Sequence, residues 1–157
     1  MLYVVAWPIL EEVDDTALRR LRAQYHPKEA GLIGPHFTLV FGAPPERVAE
    51  LRTALEAIAR RPFWFMIDRI VRDDLYLIAE PSDGAAELTE LYETLNPTGA
   101  MSFQPHITLG LFSHANEAEQ VARIVVRQHL PIRGRIAELA LLSRDGDRLD
   151  ILATRRL

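Results

Sequence analysis

The pentapeptide Pro-His-Φ-Thr-Leu, in which Φ is an apolar residue, occurs twice in the chain, at residues 35–39 and 105–109. Each copy alternates polar and apolar residues, and this period of two is typical of a strand with one buried face. We therefore predict strands at 36–41 and 106–111, which together form the two halves of one site. The pattern predicts a polar face with His36, Thr38, His106, Thr108 and Gly110, and an apolar face with Phe37, Leu39, Phe41, Ile107, Leu109 and Leu111.

The sequence around the two pentapeptides also repeats. Tyr25 precedes His36 by 11 residues, and Leu95 precedes His106 by 11 residues. Strand, helix, motif strand, helix and strand follow one another in both halves, with a period of about 70 residues. This spacing indicates an internal duplication.

Apolar spacing and turn residues predict the other elements. Strands are predicted at 2–7 (ending at Pro8), 63–70, 75–80, 131–142 and 147–154, with a hairpin turn at Asp145-Gly146. Helices are predicted from a cap at Asp14 or Asp15 to Tyr25, from Pro44 to Arg60, from a cap at Ser82 or Asp83 to Leu95, and from 117 to 128. A loop is predicted from Lys28 to Gly34.

The alternating motif strands favour an antiparallel sheet, because strands of a parallel sheet are apolar throughout. A Gly-rich phosphate loop, typical of many doubly wound sheets, is also absent from the sequence. We therefore predict an α+β fold with mostly antiparallel sheets, helices on the outside and a central cleft. The predicted unit is a single bilobal domain over residues 1–157, with similar lobes at about 1–72 and 73–157. Exchange of strands between these lobes is left open.

The composition excludes several kinds of site. The 157 residues include no cysteine, which rules out disulfides, thiolate zinc sites and a cysteine nucleophile. A net charge of −4 provides no general basic field, so nucleic acid is expected to be held locally, at an end or a single nucleotide. The apolar runs are too short to cross a bilayer, and the first residues lack the features of a signal peptide. We predict a cytoplasmic monomer without a membrane or protein partner.

The two histidines are the candidate catalytic groups. Imidazole can both give and take a proton near neutral pH, so two rings on opposite sides of a phosphate can act as a base and an acid. Each threonine lies two residues after its histidine, on the same face. Its hydroxyl can donate to a non-bridging phosphate oxygen, where negative charge develops in the transition state. Such a site suits a ribose cyclic phosphodiester and predicts no metal or other cofactor.

The doubled motif in a small cysteine-free chain resembles the 2H phosphoesterase superfamily, which includes 2'-5' RNA ligase-like proteins and cyclic nucleotide phosphodiesterases. The resemblance covers nearly the whole chain, since this family is a bilobal duplication with both motifs lining a central cleft. It implies that His36 and His106 are the acid/base pair and that Thr38 and Thr108 bind the phosphate. The implied substrate is a 2',3'-cyclic phosphate or 2'-5' phosphodiester of RNA or a nucleotide derivative, with the two histidine roles set by substrate orientation.

Three other interpretations of the sequence stay open. The first is a catalytically silent module that binds a nucleotide or RNA end in the same cleft. The second is a metal-dependent hydrolase, and the third is a purely structural interaction domain. His26, His114 and His129 are expected to be solvated or capping residues. Candidates for nucleobase stacking are Tyr3, Tyr25, Trp64 and Phe103.

Overall fold

The computed structural model describes residues 1–98 and 102–157 of the chain. The strands are β1 (Leu2–Leu10), β2 (Phe37–Ala43), β3 (Phe63–Asp73), β4 (Tyr76–Asp83), β5 (Ile107–Leu111), β6 (Ile132–Asp145) and β7 (Arg148–Arg156). The helices are α1 (Glu12–Tyr25), α2 (Pro27–Ala30), α3 (Val48–Ala57), α4 (Ala85–Leu95) and α5 (Ala115–His129), with a 3₁₀ turn at Pro45–Arg47.

The seven strands of the described residues form one antiparallel sheet, in the order β2-β1-β6-β3-β4-β5 with β7 paired to β6. The 14-residue β6 joins its two parts. One edge of β6 pairs with β1, while the other pairs with β3 over residues 132–136 and with β7 over residues 138–145. The sheet therefore divides into a first lobe, β2-β1-β6-β7, and a second lobe, β6-β3-β4-β5. The predicted α+β antiparallel class is confirmed.

The hydrophobic core lies between the helices and one face of this sheet. Leu18 of α1, Leu51 of α3 and Leu88 of α4 are fully buried there, and each such leucine stabilises the fold by about 2 kcal/mol. α1 packs against β5 of the second lobe, whereas α4 packs against β2 of the first lobe. Each motif strand is therefore supported by a helix from the other half of the chain, which makes the lobes mutually dependent.

Pro8 does not end the first strand, as the sequence predicted. β1 continues to Leu10, and its register with β6 shifts between Trp7 and Pro8. Proline lacks a backbone N–H, so a β-bulge is one of the few places in a sheet interior where it is accepted. Because of this bulge, the strand is three residues longer than predicted.

The helix predicted from Pro44 to Arg60 is shorter, because the chain forms a 3₁₀ turn at Pro45–Arg47 before α3 begins at Val48, and α3 ends at Ala57.

The starts of α4 and α1 also differ from the prediction. α4 begins after Gly84, which has a φ of +82°, and a Cβ at this position would lie 2.6 Å from the Cβ of Phe65. Only glycine tolerates that combination, so the start is not set by a Ser82 or Asp83 cap. α1 begins at Glu12, which places Asp14 in its first turn, where a carboxylate interacts favourably with the helix dipole. The predicted loop after α1 contains the short helix α2.

β2 contains a bulge within the first motif. One step along β1, from Val4 to Val5, corresponds to two steps along β2, from Val40 to Thr38. Leu39 is therefore the extra residue, and it is 1% exposed. A bulge of this kind interrupts the alternation of side chains along a strand.

β5 has the same irregularity at the equivalent place in the second motif. The step from Leu77 to Ile78 on β4 spans two residues of β5, so that Leu109 is the extra residue. After each bulge the side chains change faces. Phe41 and Leu111, both predicted to be buried, are 81% and 43% exposed. The matching bulges favour the predicted duplication, and the halves 1–72 and 73–157 stay a proposal.

Candidate active site

The two motif strands line a single cleft of about 450 Å³. His36 and Thr38 enter it from the first lobe, and His106 and Thr108 enter it from the second. All four side chains are partly exposed, whereas the motif residues between and after them are buried. The structure therefore brings together every site residue that the sequence predicted.

The strands next to the motif strands carry a second repeat. Leu-Tyr-Φ-Φ-Ala occurs at residues 2–6 of β1 and again at 75–79, where β4 begins. Its tyrosines, Tyr3 and Tyr76, both line the cleft, and so do the residues two positions later, Val5 and Ile78. The two segments pair with equivalent motif residues, because Val5 lies opposite Thr38 and Ile78 lies opposite Thr108. This repeat is visible in the sequence, but the histidine spacing alone does not identify it as part of the site.

Each motif histidine is oriented by a backbone carbonyl two residues before it. Nδ1 of His36 lies 2.8 Å from the carbonyl oxygen of Gly34, and Nδ1 of His106 lies 2.8 Å from that of Gln104. A carbonyl oxygen can only accept, so Nδ1 carries a hydrogen in both rings. Nε2 is then the nitrogen that can exchange a proton with a substrate.

His36 is held in its neutral form. Burial is the main cause that lowers its pKa, to about 4, and the nearby Arg22 and His106 lower it further. The hydrogen bond to Gly34 and the charge of Glu29 act in the opposite direction. A neutral imidazole at physiological pH can accept a proton, which is what a general base requires.

Arg22 is a buried cation beneath the cleft that the sequence analysis did not single out. Its side chain is 1% exposed and lines the cleft from α1. Nη1 donates to the carbonyl oxygen of Thr108 at 2.6 Å, and Nη2 donates to that of Ile33 at 2.8 Å. Nε has no hydrogen-bond partner among the described residues. Arg22 thus ties the second motif strand to the segment before His36 and places a positive charge near both.

Charged side chains of both signs line the rest of the cleft. Arg144 of β6 is paired with Glu29 of α2, with Nη1 and Oε1 2.6 Å apart. Asp73, at the end of β3, lines the cleft as well. The positive charges of Arg22 and Arg144 are therefore partly balanced, which fits a single small anion better than a long polyanion.

The face of the first lobe that leads into the cleft is less polar than the motif alternation predicted. Val5, Ile33 and Leu142 form a separate buried apolar cluster there, with Tyr3 and Leu149 packed against it. Phe41 extends this apolar surface, because its ring meets that of Tyr3 edge-to-face with centroids 5.3 Å apart. The cleft therefore combines a polar centre with an apolar wall on one side.

Of the four candidates for nucleobase stacking, only Tyr3 lines the cleft. Tyr25 stacks on Phe112, and Gly110 is buried between them, since a Cβ there would lie 2.7 Å from each side chain. Phe103 stacks on the ring of Tyr92, with centroids 4.2 Å apart. Trp64 is 71% exposed on β3, beside Arg135. Phe41 was assigned to the core by its spacing and is instead an exposed aromatic residue of the cleft, as is Tyr76.

The model of the 2'-5' RNA ligase superfamily matches residues 10–148, most of the chain. The chain belongs to the 2'-5' RNA ligase superfamily. The predicted resemblance to the 2H phosphoesterases is thereby confirmed. Membership in this superfamily indicates a phosphoesterase or ligase-like enzyme. No curated protein sequence gives a significant match.

Solved structures share the fold of this superfamily member. E. coli LigT in complex with phosphate has a TM-score of 0.67 and 21% identity, covering 99% of this chain and 96% of LigT. E. coli LigT with 3'-AMP has a TM-score of 0.63 and 18% identity at the same coverage. Kluyveromyces marxianus Usb1 with uridine monophosphate has a TM-score of 0.53 and 11% identity, covering 96% of this chain and 97% of Usb1. At these identities the likeness establishes the fold.

The other histidines of this superfamily member lie outside the motif pair. His26 occupies the cap position at the end of α1 and the start of α2, as predicted, and its backbone N–H donates to the carbonyl oxygen of Arg22. Its ring also lines the cleft and meets the ring of Tyr76 edge-on, with centroids 6.3 Å apart. Burial is the main cause that lowers its pKa. His114 precedes α5 and His129 is its last residue.

Residues 1–98 and 102–157 contain no group of three or more histidine, aspartate or glutamate side chains placed to hold a metal ion. The same residues include no helix long and apolar enough to span a membrane.

Proposed function

We propose that this protein is a metal-independent phosphoesterase acting on a 2',3'-cyclic phosphate or a 2'-5' phosphodiester of RNA or a nucleotide derivative. The observation that carries this proposal is the shared cleft. It receives one motif histidine from each lobe, and each has its Nδ1 occupied by a backbone carbonyl. Two such rings can exchange protons with the groups on two sides of one phosphate.

In the proposed hydrolysis, His36 is the base and His106 the acid. Nε2 of His36 takes a proton from water while the water oxygen bonds to phosphorus. His106 gives a proton to the departing ribose oxygen as the bond between that oxygen and phosphorus breaks. The low pKa of His36 supports its assignment as the base. In the reverse, ligating direction the two roles exchange.

The neighbouring residues would stabilise the phosphate. The hydroxyls of Thr38 and Thr108 share the cleft with the two rings, so they can donate to the non-bridging oxygens. The positive charge of Arg22 favours an anion at the same place. Because water is partly excluded from this site, the attraction is stronger than it would be in bulk water. Each histidine would supply about 10²- to 10⁴-fold in rate by proton transfer.

Turnover in the presence of a chelator tests this function. The purified protein is expected to open nucleoside 2',3'-cyclic phosphates at the same rate in excess EDTA as in added Mg²⁺ or Zn²⁺. Loss of turnover in EDTA, restored by a metal, would instead identify a metal-dependent hydrolase. Saturable nucleotide binding without any turnover would identify the silent binding module. The position of the product phosphate, 2' or 3', would then establish which ribose oxygen leaves.

Replacing Phe41 with alanine is expected to weaken binding of substrates that carry a base. Stacking of a base on an aromatic ring contributes about 1–3 kcal/mol, so KM for a nucleoside 2',3'-cyclic phosphate should rise about 5- to 150-fold, with a smaller change in kcat. Leu111→Ala is the matched control, because Leu111 occupies the equivalent place after the second bulge and is also exposed. An equal KM increase in both variants would contradict a base site at Phe41.

A further inference from the structure

Glu80 is a buried carboxylate that the proposed mechanism does not use. It lies in β4 and is 2% exposed. Its Oε1 accepts a hydrogen bond from Nε2 of Gln104, and its Oε2 lies 3.1 Å from Nη2 of Arg69. A buried carboxylate is costly unless it is paired and hydrogen-bonded, and both partners here meet that requirement.

Gln104 connects this carboxylate to the active site. Its backbone carbonyl oxygen is the group that accepts from Nδ1 of His106, at 2.8 Å. Residues 102–106 have no regular secondary structure, so the contact between the Gln104 side chain and Glu80 ties this segment to β4. A chain of two hydrogen bonds thus leads from Glu80 to the imidazole of His106.

In the first lobe, the position equivalent to Glu80 carries an apolar residue. Trp7 and Glu80 both follow the Leu-Tyr-Φ-Φ-Ala repeat, and they therefore occupy equivalent places on β1 and β4. The ring of Trp7 meets the ring of His36 edge-on, with centroids 6.1 Å apart. Because the fold accepts an apolar side chain at this position, a buried carboxylate is not required for packing there. Its function therefore depends on the residues that it contacts, Gln104 and Arg69.

We infer that Glu80 is a positioning residue for His106. By holding Gln104, it keeps the Gln104 carbonyl where it fixes the Nδ1–H tautomer of His106 and leaves Nε2 directed to the phosphate. This inference rests on the proposed function for its kinetic consequence. The tautomer itself is a property of the free protein.

The test compares Glu80→Ala with Glu80→Gln. The glutamine oxygen can still accept from Nε2 of Gln104, whereas alanine removes the contact. Glu80→Ala is expected to lower kcat for a nucleoside 2',3'-cyclic phosphate about tenfold or more while KM changes less than about twofold, because a misplaced catalytic group loses rate rather than binding. Glu80→Gln should keep most of kcat. ¹⁵N chemical shifts of the His106 ring should show the Nδ1–H tautomer in the wild type and Glu80→Gln, and a mixture in Glu80→Ala.

Two further variants complete the design. Gln104→Ala breaks the same contact at an exposed position and should reproduce the loss even where Glu80→Ala does not fold. Glu90→Ala removes another arginine-paired carboxylate, at Arg60 and away from the cleft, and should change neither kcat nor the tautomer. An unchanged tautomer and kcat in Gln104→Ala would overturn the inference. An equal loss of kcat in Glu80→Gln and Glu80→Ala would also overturn it, because the negative charge of Glu80 would then matter and not its hydrogen bond to Gln104. If the wild type turns over no cyclic phosphate, the proposed function fails, and the tautomer alone decides the inference.

Discussion

Turnover of a nucleoside 2',3'-cyclic phosphate should fall by about 10²-fold or more in His36→Ala and in His106→Ala, and the double variant should lose little more. Both rings line one cleft and each has its Nδ1 bound to a carbonyl, so the proposed proton transfers need both. If one ring is removed, the remaining ring can no longer take part in a concerted transfer of two protons. The measurement is kcat/KM for the two single variants and the double variant at neutral pH.

His114→Ala is the control for these variants, because His114 precedes α5 and does not line the cleft. It should keep wild-type kcat/KM. Two independent losses that multiply in the double variant would contradict a paired role, and unchanged turnover in either single variant would remove that histidine from the mechanism.

The pH dependence adds a second criterion for His36. Its pKa of about 4 means that kcat/KM should stay high as pH falls from 7 and should decline only as His36 becomes protonated near pH 4. The folded state, however, loses stability below the unfolded-state pKa of about 6.5, by up to about 1.4 kcal/mol per pH unit. Assays in this range therefore need a parallel check of folding. An acid limb near pH 6.5 in fully folded protein would contradict the assignment of His36 as the base.

Arg22→Ala is expected to lower the free energy of unfolding by about 3 kcal/mol or more. The substitution leaves the carbonyl oxygens of Thr108 and Ile33 without their charged donor and opens a void beneath the cleft. Among the described residues β5 is an edge strand paired only with β4, so no strand on its open side can replace the bond to Thr108. Urea unfolding at neutral pH measures the loss, and activity should fall with it because the two motif strands lose their common support.

Arg19→Ala is the matched control in the same helix. Arg19 lies one turn earlier, its side chain is 60% exposed, and its ion pair with Asp15 is at the surface. Such pairs contribute about 0–1 kcal/mol, so this variant should stay close to wild-type stability. Arg22→Lys should be intermediate, since an ammonium cannot reach two carbonyls with the geometry of a guanidinium. Wild-type stability in Arg22→Ala would contradict this bridging role.

Local patterns in the sequence were sufficient for the motif strands, the helix over Ala85–Leu95 and the antiparallel class. These features depend on side-chain period and on turn residues within a few positions, and both are readable along the chain. The sequence also predicted that the motif histidines lie close together, because equal spacing in the two halves puts His36 and His106 at equivalent positions of a duplicated fold. The resemblance to the superfamily depends on the same residues, so the sequence is sufficient to predict it.

The bulges, by contrast, were decided by the pairing of neighbouring strands. Leu39 and Leu109 look like ordinary members of an alternating strand, and only the register with β1 and β4 shows that each is an extra residue. The register moves Phe41 from the predicted core to the cleft, which changes the proposed substrate contacts.

Long-range polar contacts likewise appeared only in three dimensions. Arg22 bonds to a carbonyl 86 residues away, and Glu80 reaches Gln104 across 24 residues. Nothing in the local sequence marks either residue, because burial of a charge depends on which distant groups are present to satisfy it. The sequence by itself determined which side chains could do the chemistry. The tertiary structure alone decided how they are held, since their supports, such as the bond from Arg22 to Thr108, join residues that are distant in sequence.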